Sequence, residues 1–146
     1  IIPKVEEKIR NFKGTVLFTR DTHETWYLDT QEGKKLPIPH CIRDTEGWQI
    51  RRELDDLRKT EPIDKETFGS TDLAADLVAM NIDDEIGSIT FVGLCTDICV
   101  ISNALLAKAA LPEVPITVDA SCCAGVTPES HRNALEAMKM CQIEIV

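Results

Sequence analysis

The sequence predicts an α/β domain with a mainly parallel sheet covered by helices on both faces. Short, continuous apolar runs of strand length alternate with segments at helical spacing. At 146 residues, the chain is long enough for one domain with a real core. The first element is a helix, with Ile2, Val5, Ile9 and Phe12 on one face among Lys and Glu. Gly14 ends it, and 15–19 is a short strand. Residues 20–48, rich in Asp, Thr, Gly and Pro, form a loop too long to be a mere connection, and long ordered loops carry function. Residues 53–58 form a short helix or turn. Ser70 caps a helix over 71–80 that turns Leu73 and Leu77 to one side. A strand at 89–93, a helix at 97–111 and a strand at 115–119 follow. A helix at 128–140 with Pro in its first turn and a strand at 143–146 complete the chain. Doubly wound domains open on a strand, so a chain that opens on a helix and stops on a strand is expected to be cut at both ends.

Composition narrows the functional classes. Sixteen basic residues against 25 acidic ones give a formal net charge of −9, and no Lys/Arg run forms a basic stripe. This argues against nucleic acid and anionic membrane surfaces as partners. No apolar stretch approaches transmembrane length, and the first residues lack signal-peptide architecture. The chain has six cysteines, of which Cys95, Cys99 and Cys141 lie in or beside apolar runs, as reduced thiols do. A reducing cytoplasm is the expected compartment. No CxxC pair is present, so neither a zinc ribbon nor a thioredoxin-type site is supported.

The chemistry concentrates in Gly93-Leu94-Cys95-Thr96-Asp97-Ile98-Cys99-Val100, where a strand turns directly into a helix. Backbone N–H groups at a helix start have no intrahelical partner, and the positive end of the helix dipole favours a thiolate. Cys99 is therefore the first candidate nucleophile, with Cys95 its rival in the turn. The Cys95 and Cys99 amides could form an oxyanion site. A Lys beside a thiol stabilises the thiolate; Lys65, before Phe68 and the Ser70 cap, is either that group or a solvated loop residue. Cys122 and Cys123 read as packing or site-rim thiols, since a vicinal disulfide is strained. Asp21 and His23 lie just past a strand, where open α/β sheets place ligands. With His40 and a carboxylate, Glu32 or Asp29, they could complete an N/O shell for Zn²⁺, Fe²⁺ or Mn²⁺. Alternatively, Asp21 and His23 merely hydrogen-bond the loop backbone. His131 reads as a surface residue of its helix.

These residues together resemble the isochorismatase-like cysteine hydrolases, and among them the nicotinamidases. The resemblance rests on Gly-Leu-Cys-Thr-Asp-Ile-Cys-Val at 93–100, Lys-x-x-Phe at 65–68, Asp-x-His at 21–23 and Pro-x-His-Cys at 38–41. It implies a Rossmann-like sheet, Cys99 as nucleophile and Lys65 as the lysine that lowers its pKa. It also implies a non-proline cis peptide at Leu94–Cys95 that aims the two amides at the oxyanion. In metal-containing members the ligands match Asp21, His23 and His40, with Glu32 the best match for the third ligand, before the second His, and Asp29 the second choice. Zn is the expected metal, with Fe or Mn as alternatives. The implied substrate is a small amide such as nicotinamide, hydrolysed to nicotinate and ammonia through a thioester. The alternatives are a metal-free relative acting on another small substrate, and an inactive α/β binding or assembly module. Dimers or tetramers are the family habit, so a homo-oligomer is expected. The family's third catalytic group is an Asp in an Asp-x-Gln-x-Asp-Phe segment on the first strand. No such segment occurs here, which implies a domain lacking that strand; Asp97 and Asp119 do not substitute for it by position.

Overall fold

The computed structural model describes residues 1–146. In chain order the elements are α1 (Ile2–Asn11), β1 (Thr19–Asp21), α2 (Gln31–Lys35), α3 (Arg52–Asp55), β2 (Ile63–Lys65), α4 (Thr71–Asp83), β3 (Ile89–Leu94), α5 (Ile101–Ala110), β4 (Ile116–Ala124), α6 (Pro128–Met140) and β5 (Glu144–Ile145). They fall into two compact units, one comprising Lys13–Thr67 and the other Ile1–Phe12 with Phe68–Val146. All strand pairs are parallel, as the apolar strand runs imply.

In the larger unit the strand order is β3-β4-β5. The central strand, β4, buries Ile116 and Val118, and helices α1, α5 and α6 pack on it. Ala104 and Ala107 of α5 and Met138 of α6 are fully buried beside it. Truncating Met138 to Ala would cost about 2–5 kcal/mol, the usual penalty for a large-to-small change in such a core. Side-chain caps fix two helix starts, that of α4 by Ser70 as the sequence indicates and that of α6 by Thr127, which it did not. Ser70 Oγ accepts from Leu73 N–H at 3.1 Å, and Thr127 forms a reciprocal capping box with Ser130.

In the smaller unit β1 pairs with β2 in a register that sets Asp21 beside Lys65. The strand expected at 15–19 is shifted: its ladder begins at Thr19 because β2 offers partners only from Ile63 to Lys65. β2 itself has too few residues to show any periodicity. The stretch 20–48 is not all loop but holds α2 and 3-10 turns at Tyr27–Asp29 and Glu46–Trp48. Elsewhere the helix expected at 97–111 opens as a π turn over Thr96–Val100, with Val100 N–H donating to Cys95 O at 3.0 Å. β4 also runs past 119. After an irregularity between Phe91 and Gly93, the β3–β4 ladder resumes at Gly93–Cys123, so Cys122 and Cys123 lie inside a strand as buried packing thiols.

Candidate active site

The Asp-x-His segment is extended, so alternate side chains point to opposite sides. Thr22 points into the interior, where its Oγ accepts from Trp48 Nε1–H at 2.9 Å. Trp48 in turn lies under the Arg20 guanidinium, and Arg20 donates to Asp64 at 2.7 Å. With Thr22 and Arg20 so braced, Asp21 and His23 share the other side. His23 N–H donates to Cys41 O at 2.9 Å and Arg43 N–H donates to His23 O at 2.8 Å. This short parallel bridge draws the Pro-rich 37–40 segment alongside and delivers His40.

Glu32 arrives by a different route. Thr30 caps α2, its Oγ accepting from Gly33 N–H at 3.0 Å and donating to Tyr27 O at 2.7 Å. A Cβ on Gly33 would lie 2.1 Å from Tyr27 O, so only glycine lets α2 close on the preceding turn. The result sets Glu32, rather than Asp29, against the two imidazoles. His23 Nε2 stands 3.4 Å from Asp21 Oδ2 and 3.6 Å from Glu32 Oε1. His40 Nε2 stands 3.7 and 3.9 Å from the same two oxygens.

His23 Nε2 is buried and has no hydrogen-bond partner, the costly state for a polar atom. The donor atoms of Asp21, His23 and His40 lie within 4.8 Å of one another. The shorter nitrogen–oxygen separations match the edge of about 3.4 Å in a tetrahedron with bonds of about 2.1 Å. His40 Nδ1–H donates to Ile38 O at 2.8 Å, which leaves its Nε2 lone pair for a ligand. Asp21, His23 and His40 therefore fit a divalent cation with N/O preference, and Glu32 Oε1 faces both imidazoles beside them. Tyr27, fully buried, packs its ring 4.6 Å from that of His23 and 5.1 Å from that of His40. Burial raises its phenol pKa, and the nearby Glu32 and Asp21 carboxylates push it further up. Tyr27 thus stays a neutral wall, its hydroxyl donating to Leu36 O at 3.0 Å. Sequence reasoning passed over Tyr27 and Gly33; the one available signal was their place inside the ligand-bearing stretch.

Lys65 is buried at the end of β2. Its Nζ donates to Asp21 Oδ1 at 2.9 Å and to Thr67 O at 3.2 Å. Asp21 therefore divides its oxygens, Oδ1 holding the ammonium and Oδ2 facing the imidazoles. The reading of Lys65 as a solvated loop residue is overturned, because strand pairing with Asp21 buries it.

In the other unit Leu94, Cys95 and Cys99 share one turn. The Leu94–Cys95 peptide is cis, as the resemblance implies. Gly93 before it has φ +119°, a conformation that excludes side chains even though the space around it is open. The turn is held from α6. Thr96, fully buried, has its Oγ 2.8 Å from His131 Nδ1, so His131 is not the plain surface residue expected. Asp97 accepts from Val126 N–H at 3.1 and 3.2 Å. Burial pushes the Asp97 carboxyl up, but hydrogen bonds from Ser130 and Val126 outweigh it and hold its pKa below the ordinary value. Asp119 accepts from Lys8 at 2.6 Å, and that ammonium holds it down to about 2. Both carboxylates are thus committed to structural partners, and neither is a proton donor near neutrality. Burial raises the Cys123 thiol to about 11.

The parallel α/β fold carries the carboxylate–imidazole cluster in one unit and the cysteine turn in the other. The chain belongs to the isochorismatase domain family, whose model matches residues 1–146. It is similar to the nicotinamidase/pyrazinamidase of Bacillus subtilis, at 26% identity over 100% of this chain and 81% of that one, with a TM-score of 0.78. The pyrazinamidase/nicotinamidase of Streptococcus mutans matches at 25% identity, 99% and 82% coverage and a TM-score of 0.80. The pyrazinamidase of Pyrococcus horikoshii, solved in complex with zinc, matches at 25% identity, 99% and 83% coverage and a TM-score of 0.76. No curated protein matches the sequence. No helix is long and apolar enough to cross a membrane.

Proposed function

We propose that this protein is a metal-assisted cysteine amidase that hydrolyses a small aromatic amide, nicotinamide being the leading substrate, to the acid and ammonia. The observation that carries the reading is His23 Nε2, buried without a hydrogen bond beside two carboxylate oxygens and a second imidazole. Asp21, His23, Glu32 and His40 would hold the ion, with Zn²⁺ first and Fe²⁺ or Mn²⁺ as alternatives. When bound, it supplies a Lewis-acidic position for the ring nitrogen of the amide and so orients the carboxamide.

Cys99 Sγ attacks the carboxamide carbon, forming a C–S bond, the proton given up by the thiol passes to the nitrogen, and ammonia leaves as the C–N bond breaks. Water then cleaves the thioester to the carboxylic acid and restores the thiol. Lys65, whose Nζ donates to Asp21 and Thr67, is the cation proposed to favour the thiolate. The Cys95 and Cys99 amides are the proposed donors to the oxyanion.

The test is ammonia release from nicotinamide by the product of the complete reading frame, loaded in turn with Zn²⁺, Fe²⁺ and Mn²⁺. Release that disappears in Cys99→Ala and after chelation supports the proposal. Release that survives chelation points to the metal-free alternative. No release from nicotinamide or other small amides sinks the amidase reading. Homo-oligomer formation remains part of this proposal and is checked by light scattering.

A further inference from the structure

We propose that Asn103 is a positioning residue that holds the backbone of Cys99 and so sets the reactivity of its thiol. This rests on the reading of Cys99 as the nucleophile. Asn103 lies on the buried side of α5, where its neighbours Ala104 and Ala107 are the small residues such a face ordinarily carries. An amide there lowers helix propensity and costs desolvation unless it is fully bonded. It is well bonded: Nδ2 donates to Cys99 O at 2.9 Å and to Phe68 O at 3.2 Å, while Oδ1 accepts from Ser70 N–H at 2.8 Å. Two carbonyls facing the nitrogen and an N–H facing the oxygen fix the amide's orientation, using both of its donors.

The partners are informative. Cys99 O belongs to the π turn, where the i+5 bond from Val100 to Cys95 O displaces the ordinary helical ladder. Side chains one turn later hold carbonyls of that turn: Ser102 Oγ donates to Ile98 O at 2.6 Å, and Asn103 to Cys99 O. The other two bonds reach the segment before α4. There Gly69 leaves room for Leu106 and Ser102, to which a Cβ would come within 2.6 and 3.3 Å. Asn103 thus ties Cys99 to a segment that is itself fixed by the Ser70 cap. The thiol position follows its backbone, and a displacement of about 1 Å in a reacting group can cost about 100-fold in rate.

The test compares Asn103→Thr with Asn103→Val. Both lose the bonds to Ser70 and Phe68, and they have nearly the same shape. Only threonine carries a hydroxyl able to donate to the carbonyl four residues earlier, which is Cys99 O. The readout is the pH profile of iodoacetamide labelling at Cys99, followed by peptide mass mapping well below each melting temperature, with exposed Cys141 as internal reference. The expected result is wild-type Cys99 labelling faster than Cys141, a loss of about tenfold in Asn103→Val, and substantial recovery in Asn103→Thr. Equal Cys99 profiles in the two variants overturn the inference, whatever their melting temperatures. Wild-type labelling of Cys99 no faster than Cys141 removes the nucleophile reading, and the inference falls with it.

Discussion

Gly33→Ala offers the sharpest test of how the proposed metal centre is assembled. The added Cβ would lie 2.1 Å from Tyr27 O and 2.8 Å from Leu28 Cα, both backbone atoms that no side-chain rotation can clear. Relieving that overlap requires α2 to retreat by about 1 Å, given ordinary van der Waals separations. Glu32 precedes Gly33 directly, so its Oε1 would leave the 3.6 Å and 3.9 Å positions it holds from the two imidazole nitrogens. Metal–ligand bonds tolerate about 0.2 Å, so affinity should fall about 10–100-fold, as it does when ligand orientation is disturbed. Overpacking should also cost about 1–3 kcal/mol of stability. Zinc affinity is measured by competition with a chromophoric chelator, alongside thermal melts of the metal-free protein. Glu32→Gln is the companion variant: it weakens the ligand without moving α2, so it should lose affinity with little change in the metal-free melt. A Gly33→Ala protein that binds zinc like wild type would refute the argument that the α2 contact places a ligand.

Three further outcomes follow from the larger unit. Asp119 has a folded pKa of about 2, below its ordinary value, so its stabilisation is fully present above about pH 4 and is lost as pH falls toward 2. Lys8→Met should remove about 1 kcal/mol at pH 7, a figure reduced for the partly exposed lysine, and the wild-type advantage should shrink to a small fraction of that in melts at pH 2. Burial holds Cys123 up to about 11, so its alkylation should stay slow until the pH approaches that value; rapid labelling at pH 8 would contradict its place inside β4. His131→Ala leaves the buried Thr96 hydroxyl without its partner and should cost about 1–3 kcal/mol, with His131→Asn recovering part of it in denaturant titrations.

Much of the site was legible in the sequence because its chemistry is local. Asp21 and His23 are two residues apart on an extended segment, and Cys95 and Cys99 occupy one turn. Residue type and spacing therefore carry most of the information. From residue type and spacing Glu32 and Asp29 both stayed open, and only the family resemblance favoured Glu32, since the choice turns on a backbone contact between Gly33 and Tyr27. The burial of Lys65 was equally hidden, because β2 is three residues long and its meaning lies in its register with β1. Asn103 escaped notice and His131 was read as a surface residue for a related reason: each acts through a partner about 35 residues away, Phe68 in one case and Thr96 in the other.

By itself the sequence determined the α/β class, the positions of α4 and α6 with the Ser70 cap of α4, and which residues are candidates for nucleophile and ligands. Periodicity, capping and residue chemistry act within a few positions and need no partner. Tertiary structure alone decided that the turn opening into α5 is π, that Asp21 divides its oxygens between an ammonium and two imidazoles, and that Glu32 rather than Asp29 faces those imidazoles. Those outcomes depend on which strands pair, in what register, and which backbones approach closely enough to exclude a side chain.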